Sequence, residues 1–448
     1  MWQSAHMQIN ESDKQFIKGT FTELKSPAIG GVPAQRNPAV IETVSKMLLE
    51  IEKRGIDAVM DYSRTLDKWE GKDIEMTQAQ LARTGDDLPA LVREGLEASA
   101  ERTYAFAVEQ RSHLVDFEKE FTPGVFLGQR YIPVNHVGAY LPAGNFPILA
   151  SAFMTVGVAK AAGVPNVTAC TPPMSPTGGN AAVLYSAYLS KVDRAFVLGG
   201  VQALAAMAFG LLDQAPVDIL VGAGNAYVTE AKRQLFGRVG IDLLAGPSEV
   251  AVIADETADP VIVAADLLGQ AEHGPQSPAS LVTTSRALAE AVIIEVERQL
   301  ETLSTNYIAG PAWRDYGTVY LADSKDTAIE LMNMMAPEHL EVITGDDDYY
   351  FKHLTNYGSL FLGEWSTVAY ADKGSSGTNH VLPTGGGAKS SAGLSVSRFL
   401  KPLTHQRIER SATMSIAPYI SAISGFEGMD AHKATADIRI ERLGGETK

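Results

Sequence analysis

The stretch that decides the fold runs from Arg130 to Gly240. Four short apolar runs lie in it: RYIPVNHVGAYLPAG (130–144), NVTACT (166–171), AFVLGG (195–200) and DILVGAGN (218–225). Between and after them come ILASAFMTVGVAKAAG (148–163), AAVLYSAYLSKV (181–192), QALAAMAFGLL (202–212) and AYVTEAKRQLFGRVG (226–240), which read as helices. Strands alternating with helices predict βαβ units and a parallel sheet. Ligands in such folds sit at the carboxyl ends of the strands. Three expected strand ends are glycine-rich: Leu141-Pro142-Ala143-Gly144, Gly199-Gly200 and Gly222-Ala223-Gly224-Asn225. Backbone amides at the start of a following helix can hold a pyrophosphate there. None is a full G-x-G-x-x-G with an acidic residue at the usual distance, so a tight strand–helix turn explains each about as well.

The alternation returns further on, with strands expected at 279–284 and 318–322 and helices at 287–303 and 327–335. Ahead of them, DPVIVAADLLGQAEHGP (259–275) reads as a helix capped by Asp259, entered at Pro260 and stopped by Gly274-Pro275. Its body is apolar nearly all round, which predicts burial almost all round. Its end carries Gln270, Glu272 and His273, and Gln270 and His273 share one face. Buried together, they need partners. A hydrogen-bonded helix terminus, with His273 favoured by the dipole, is one solution. A metal site is the other.

Upstream, residues up to about Ala34 look like an arm. Asn37-Pro38 open a helix whose apolar residues run from Val40 to Ile51, and the stretch from Leu88 to Glu120 is charged and solvated. The expected organisation is therefore an arm (1–34), a discontinuous catalytic α/β domain (35–129 and 249–392), a nucleotide-binding α/β domain (130–248) inserted in it, and a helical tail (393–448). The fold class is α/β, two Rossmann-like domains with mostly parallel sheets.

Composition bounds the function. The chain has 448 residues and a net charge of −16, which argues against nucleic-acid binding. An anionic small substrate would need a local group of cations. The single cysteine, Cys170, excludes a disulfide within the chain and suits a reducing cytoplasm. It reads as a buried strand residue. No signal peptide is visible, Ser4-Ala5-His6-Met7 resembles an expression remnant, and the most apolar stretch (146–159) is too short to span a membrane.

Three further groups can carry chemistry. Glu338-His339, after the helix-breaking Ala336-Pro337, form an acid–base pair on an expected exposed turn, or simply a solvated helix end. Asp372-Lys373 precede a glycine–serine run ending in Gly377-Thr378-Asn379-His380, a binding loop or a surface loop. His432 lies in a helical C-terminal segment, where a surface histidine is the plainer reading. Gln270, His273, Asp372 and His432 together would suit zinc, with room for a substrate atom, although spacing alone does not bring them together.

The motifs GNAYVTEAKRQLFGRVGIDLLAGPSEVAVIADETADP, DLLGQAEH, PEHLEV, SGTNHVLPT, AGLSV and AHKATADIR occur in the order in which they occur in the histidinol dehydrogenase family, and the chain resembles that family from about residue 30 to its end. The resemblance implies a zinc-dependent, NAD-linked enzyme taking a primary alcohol through an aldehyde to a carboxylate. It implies Gln270, His273, Asp372 and His432 as zinc ligands. His339 would take the alcohol proton, and Glu338 would activate the water that attacks the aldehyde. Tyr140, Gln202 and Asn225 would contact NAD; Ser248 and Glu427 would touch substrate, alongside the zinc ligands and His339. It further implies a homodimer with intertwined tails, so that His432 and Glu427 can come from the partner chain.

Details point to a branch. Gly274 stands where most family members have aspartate, and HGPQSP (273–278), Ile132 to Asn135 and Asp372-Lys373 are similar to the sulfopropanediol 3-dehydrogenase branch. That makes a sulfonated diol the favoured substrate, with Lys373, Lys389 and Arg398 as candidate cations. L-histidinol and an unknown alcohol are the alternatives; a zinc hydrolase without a redox step and a non-catalytic nucleotide-binding scaffold are those of other classes. Departures from the branch are Asn145-Phe146 and Lys389-Ser390, where arginine–aromatic and arginine–tyrosine pairs are expected, and an Asp372-to-His380 spacing of eight rather than seven.

Overall fold

The computed structural model describes residues 9, 11–29, 37–143 and 146–445. The proposed remnant at 4–7, Gly144 of the first glycine turn and the Asn145 departure lie outside them. Two units form: Met1–Gln110 with Val134–Phe399, and Arg111–Pro133 with Leu400–Lys448.

The first unit holds two six-stranded sheets. In one, the parallel strands are β1 (His136–Tyr140), β2 (Asn166–Thr171), β3 (Arg194–Val197), β4 (Ile219–Val221) and β5 (Gly240–Ile241). Their order is β5-β4-β1-β2-β3, with Glu75–Met76 antiparallel on β3. The other holds β6 (Val250–Ala254), β7 (Ala279–Thr283), β8 (Thr318–Ala322), β9 (His339–Ile343) and β10 (Ser359–Leu362). Their order is β8-β7-β6-β9-β10, with Phe21–Lys25 antiparallel on β8. The chain thus builds one strand order twice, edge strand included. Both sheets are α/β in construction and mostly parallel. Their central strands are continuous apolar runs because helices cover both faces, and β6 and β7 are buried at every position.

Helices set the polarity of each sheet. α1 (Gly200–Phe209) follows β3, and α2 (Ala226–Leu235) follows β4. α3 (Pro260–Ala271) follows β6, and α4 (Val368–Asp372) follows β10. Each runs back along its strand, so helix starts gather at the carboxyl edge and helix ends at the amino edge.

Four expectations change. Helix Pro38–Arg54 packs Val44, Met47, Leu48 and Ile51 in one core with Tyr140, Cys170 and Leu204, so it belongs to the first sheet rather than with the second. An amphipathic face records that it is buried, not against what. The arm supplies a strand, Phe21–Lys25. The tail is not wholly helical: Leu400–Ile408 pairs with Val125–Pro133, and Phe117–Thr122 completes that antiparallel sheet in the second unit. LKPLTHQRI lies largely exposed, so it never needed an apolar face to read. The segment 148–163 is helical but carries a π-turn at Phe153–Gly157. Cys170 is buried in β2, as expected. No helix among the described residues is long and apolar enough to cross a membrane.

Candidate active site at the amino edge of the second sheet

α3 forms where its caps dictate. Asp259 accepts a bond from the Val261 amide and Pro260 occupies the first turn. Burial is one-sided, however: Val261, Ala265 and Gly269 lie along an exposed stripe, so the reading of burial all round is corrected. The stripe is four residues apart in sequence, the spacing of one helix face. The helix ends at Ala271, and its last turn with the residues after it delivers Gln270 and His273 to the amino edge of the sheet.

β6 and β9 are neighbours in register, Val250 opposite His339. The residues just before them, Glu249 and Glu338, therefore stand side by side. They bond reciprocally: the Glu249 amide donates to Glu338 Oε2 (2.9 Å) and the Glu338 amide to Glu249 Oε1 (3.2 Å). Ser248 Oγ adds a second bond to Glu338 Oε2 at 2.8 Å, and the Gln270 amide nitrogen donates to Ser248 Oγ. The Gln270 oxygen is left over from that chain. Glu338 and His339 are not on an exposed turn: they are 5% and 1% exposed.

His339 Nδ1 lies 3.0 Å from the Glu249 carbonyl oxygen. A carbonyl only accepts, so Nδ1 carries a proton. Nε2 is buried without a hydrogen-bond partner among the described residues, 3.7 Å from Asp372 Oδ1. Asp372 ends α4, and its Oδ2 lies 3.2 Å from His273 Nε2. The Asp372 main-chain oxygen accepts from His380 Nδ1 at 3.0 Å, so the loop does bring aspartate and histidine together across the longer spacing.

The charges respond to this packing. Burial alone would lower the His339 imidazole, but the carboxylates of Glu338 and Asp372 outweigh it and hold it up at about 9. Burial would raise Asp372, yet the bond from His273 and the charges of His339 and His380 hold it well below the usual carboxylate range. Burial, with the Glu338 charge beside it, pushes Glu249 up to about 8. Glu249 escaped the sequence reading. Its signal was the neighbouring Ser248, read as a contact without its successor.

A cavity of about 330 Å³ opens beside this cluster, lined by Gly246 to Ser248 and His273 to Ser277. Gly274 is on its wall. A Cβ there would meet only Ser277 Oγ at 3.7 Å, so the backbone does not demand glycine at this position. Among the candidate cations, Lys373 and Lys389 are exposed, whereas the Arg398 guanidinium donates to the Ile241 carbonyl at 2.9 Å. Arg398 is engaged by the main chain.

Tyr140, Gln202 and Asn225 stand at the carboxyl edge of the first sheet, but each is occupied. The Tyr140 hydroxyl accepts from the Gly200 amide at 3.1 Å. Gln202 donates to Asp67 Oδ2 at 2.8 Å, which also takes the Gly199 amide at 3.2 Å. Asp67, which sequence reasoning missed, thus fills the start of α1. Asn225 caps α2 by accepting from the Tyr227 and Val228 amides. Strand order reverses at the switch point between β1 and β4. There Gly222, at φ +112°, sits so close that a Cβ would be 2.2 Å from the main-chain oxygen of Tyr140. Its amide and carbonyl are held by the buried Asp242–Lys232 pair.

Glu427 and His432 lie in the second unit, at the end of helix Arg410–Phe426 and in helix Asp430–Gly445, and both are exposed. They are not among the residues that the first unit brings together.

The amide oxygen of Gln270, His273 Nε2 and the Asp372 carboxylate are donor types that zinc accepts. The carbonyl end of α3 also favours a cation. No three His, Cys, Asp or Glu side chains among the described residues group to hold a metal, so within the first unit the set has only two classical ligands and an amide. The donor types fit zinc as a partial set.

The doubled sheet places the chain in the α/β class, and the edge of the second sheet gathers imidazole, carboxylate and amide groups. The model of the histidinol dehydrogenase family matches residues 32–440, and the chain belongs to that family. It is similar to a histidinol dehydrogenase homolog of Shouchella clausii (46% identity, covering 90% of this chain and 95% of that one). It is similar to the sulfopropanediol 3-dehydrogenase of Ruegeria pomeroyi (43% identity, covering 90% and 93%). A solved histidinol dehydrogenase from Elizabethkingia anophelis superposes with a TM-score of 0.86 at 33% identity, covering 92% of this chain and 94% of that one. Family members are NAD-dependent dehydrogenases that use zinc, and the chain is an oxidoreductase of this kind.

Proposed function

We propose that the protein is a zinc-dependent, NAD-linked dehydrogenase that oxidises a small polar primary alcohol through an aldehyde to a carboxylate. The favoured substrate is 2,3-dihydroxypropane-1-sulfonate (sulfopropanediol), giving sulfolactate. The observation that carries the reading is the buried imidazole of His339, its Nδ1 pinned to a carbonyl and its Nε2 left bare beside Asp372.

Bound zinc would polarise and orient the alcohol, and bound NAD would accept hydride. Gln270, His273 and Asp372 would hold the metal, with His432 as the further ligand. His339 in its neutral form takes the alcohol proton at Nε2, the nitrogen that the Nδ1 bond to Glu249 leaves open; in the metal-free protein the carboxylates of Glu338 and Asp372 hold that imidazole up at about 9. Glu338, anchored through Oε2, offers its other oxygen to a water that attacks the aldehyde. Ser248, on the cavity wall, contacts substrate and aligns Glu338. Tyr140, Gln202 and Asn225 shape the nucleotide site, largely through the main chain they hold.

The sulfonated diol is supported by the 43% identity to the Ruegeria pomeroyi enzyme and by Gly274 on the cavity wall. Lys373 and Lys389 are the cations free to meet a sulfonate. L-histidinol is the second reading, favoured by the solved relative's shared fold. A homodimer in which the tails supply His432 and Glu427 would complete the site. The single cysteine suits a cytoplasmic enzyme.

The test is NAD reduction by purified, zinc-loaded protein offered each alcohol. Sulfopropanediol should be turned over with the higher kcat/KM. Histidinol turnover that equals or exceeds it would sink the substrate assignment, and activity that survives complete zinc removal would sink the metal.

A further inference from the structure

Behind the cluster lies a second pair of carboxyls that the proposed chemistry does not use. Glu341 is on β9, two residues after His339, and is wholly buried at 0% exposure. Asp266 is on α3, one turn before Gln270, and is half-buried. Both reach the start of α4. Glu341 Oε1 accepts from the Val368 amide at 2.8 Å. Asp266 Oδ1 accepts from Thr367 Oγ1 at 2.8 Å. Glu341 Oε2 is buried with no donor among the described residues. Two facing carboxylates at such a place cannot both be charged. Burial raises the Asp266 carboxyl, and burial with the Asp266 charge raises that of Glu341. One proton between them satisfies the orphan oxygen.

The three elements that meet here carry the proposed zinc donors of the first unit and the proposed base. α3 presents Gln270 and His273, β9 presents His339, and α4 presents Asp372. Thr367 and Val368 are adjacent at the start of α4, and each takes one carboxyl, one from α3 and one from β9. We propose that Asp266 and Glu341 form a proton-sharing pair that positions α3, β9 and α4, and so sets the spacing of the zinc donors and the base. They are positioning residues, not groups that touch substrate. The inference rests on the zinc-dehydrogenase reading.

The pair makes a distinctive demand. It needs one hydrogen between two oxygens, which leaves the pair a single negative charge rather than two. Asp266→Asn supplies that hydrogen from an amide; Asp266→Leu removes it and strands Glu341. Thr367→Val cuts only the α4 link and spares the buried core. The experiment uses full-length, zinc-loaded protein. Excess EDTA strips the metal while an indicator follows zinc release; kcat and the KM for NAD are measured in parallel. Asp266→Leu should release zinc at least tenfold faster and lose at least tenfold in kcat, with the NAD KM within twofold, because the nucleotide edge belongs to the other sheet. Thr367→Val should move zinc release in the same direction by a smaller factor. Asp266→Asn should stay within twofold of the parent in all three. Unchanged zinc release in both Asp266→Leu and Thr367→Val, or equal damage from Asp266→Asn and Asp266→Leu, would overturn the inference alone. A parent protein that binds no zinc would overturn the reading beneath it as well.

Discussion

The two sheets of the first unit share one strand order and differ in which edge is furnished. The first carries its glycine turns at the carboxyl edge, where α1 and α2 begin. The second carries Gln270, His273, Glu338, His339 and Asp372 at the amino edge, where α3 and α4 end. The first sheet's turns lie at the carboxyl ends, where α/β folds usually take ligands, and the second sheet's cluster lies at the opposite end. Helix polarity gives the reason. Helix starts expose amides and favour anions such as a nucleotide's phosphates; helix ends expose carbonyls and favour cations. One topology used at opposite edges therefore offers complementary electrostatics.

That contrast can be broken most severely at the base. His339→Ala should cost roughly 10³-fold in kcat while the KM for NAD barely moves, as steady-state kinetics would read. An equal rise in that KM would mean that the two edges are not separate.

Next is the nucleotide edge. Gly222→Ala puts a methyl against the main-chain oxygen of Tyr140 at a φ that alanine avoids. It should destabilise the fold by about 2 kcal/mol and raise the KM for NAD, with zinc content preserved. Thermal melting and metal analysis check both halves.

Gly274→Asp tests the cavity wall. The space exists, so the fold should hold. A carboxylate facing a sulfonate should lower kcat/KM for sulfopropanediol by roughly tenfold or more, with a smaller loss for histidinol. Equal losses on the two alcohols would remove Gly274 from the account of specificity.

The smallest effect is on stability in the metal-free protein. His339 is raised from 6.5 to about 9, so its stabilisation is complete below 6.5 and lost as pH rises to 9. Glu249, raised from 4.5 to about 8, acts in the same direction over its own window. The melting temperature should fall by a few degrees from pH 6.5 to pH 9, and by less in His339→Asn. A flat profile would show that the carboxylates do not hold the imidazole proton.

Much of this was legible in the chain because period and punctuation are local. Alternating runs gave the parallel sheets, Asp259 and Pro260 marked α3, and Glu338-His339 and Gln270…His273 stood out as polar groups on apolar ground. Other features depended on partners far away in sequence. Glu249 and Glu338 meet only through strand register. Helix Pro38–Arg54 could have packed on either sheet. The strand Leu400–Ile408 has little buried face to betray it. Asp67 reaches the start of α1 only in the folded chain.

What the sequence determined by itself is the kind of elements, their order and the residue types able to do chemistry, since these follow from side-chain periodicity and backbone caps. Tertiary structure alone decided that one topology is built twice, that the polar cluster sits at the amino edge of the second copy, and that His339 is buried with Nδ1 tied and Nε2 without a hydrogen-bond partner among the described residues. Those are facts of register and helix direction, and they exist only once distant segments pack.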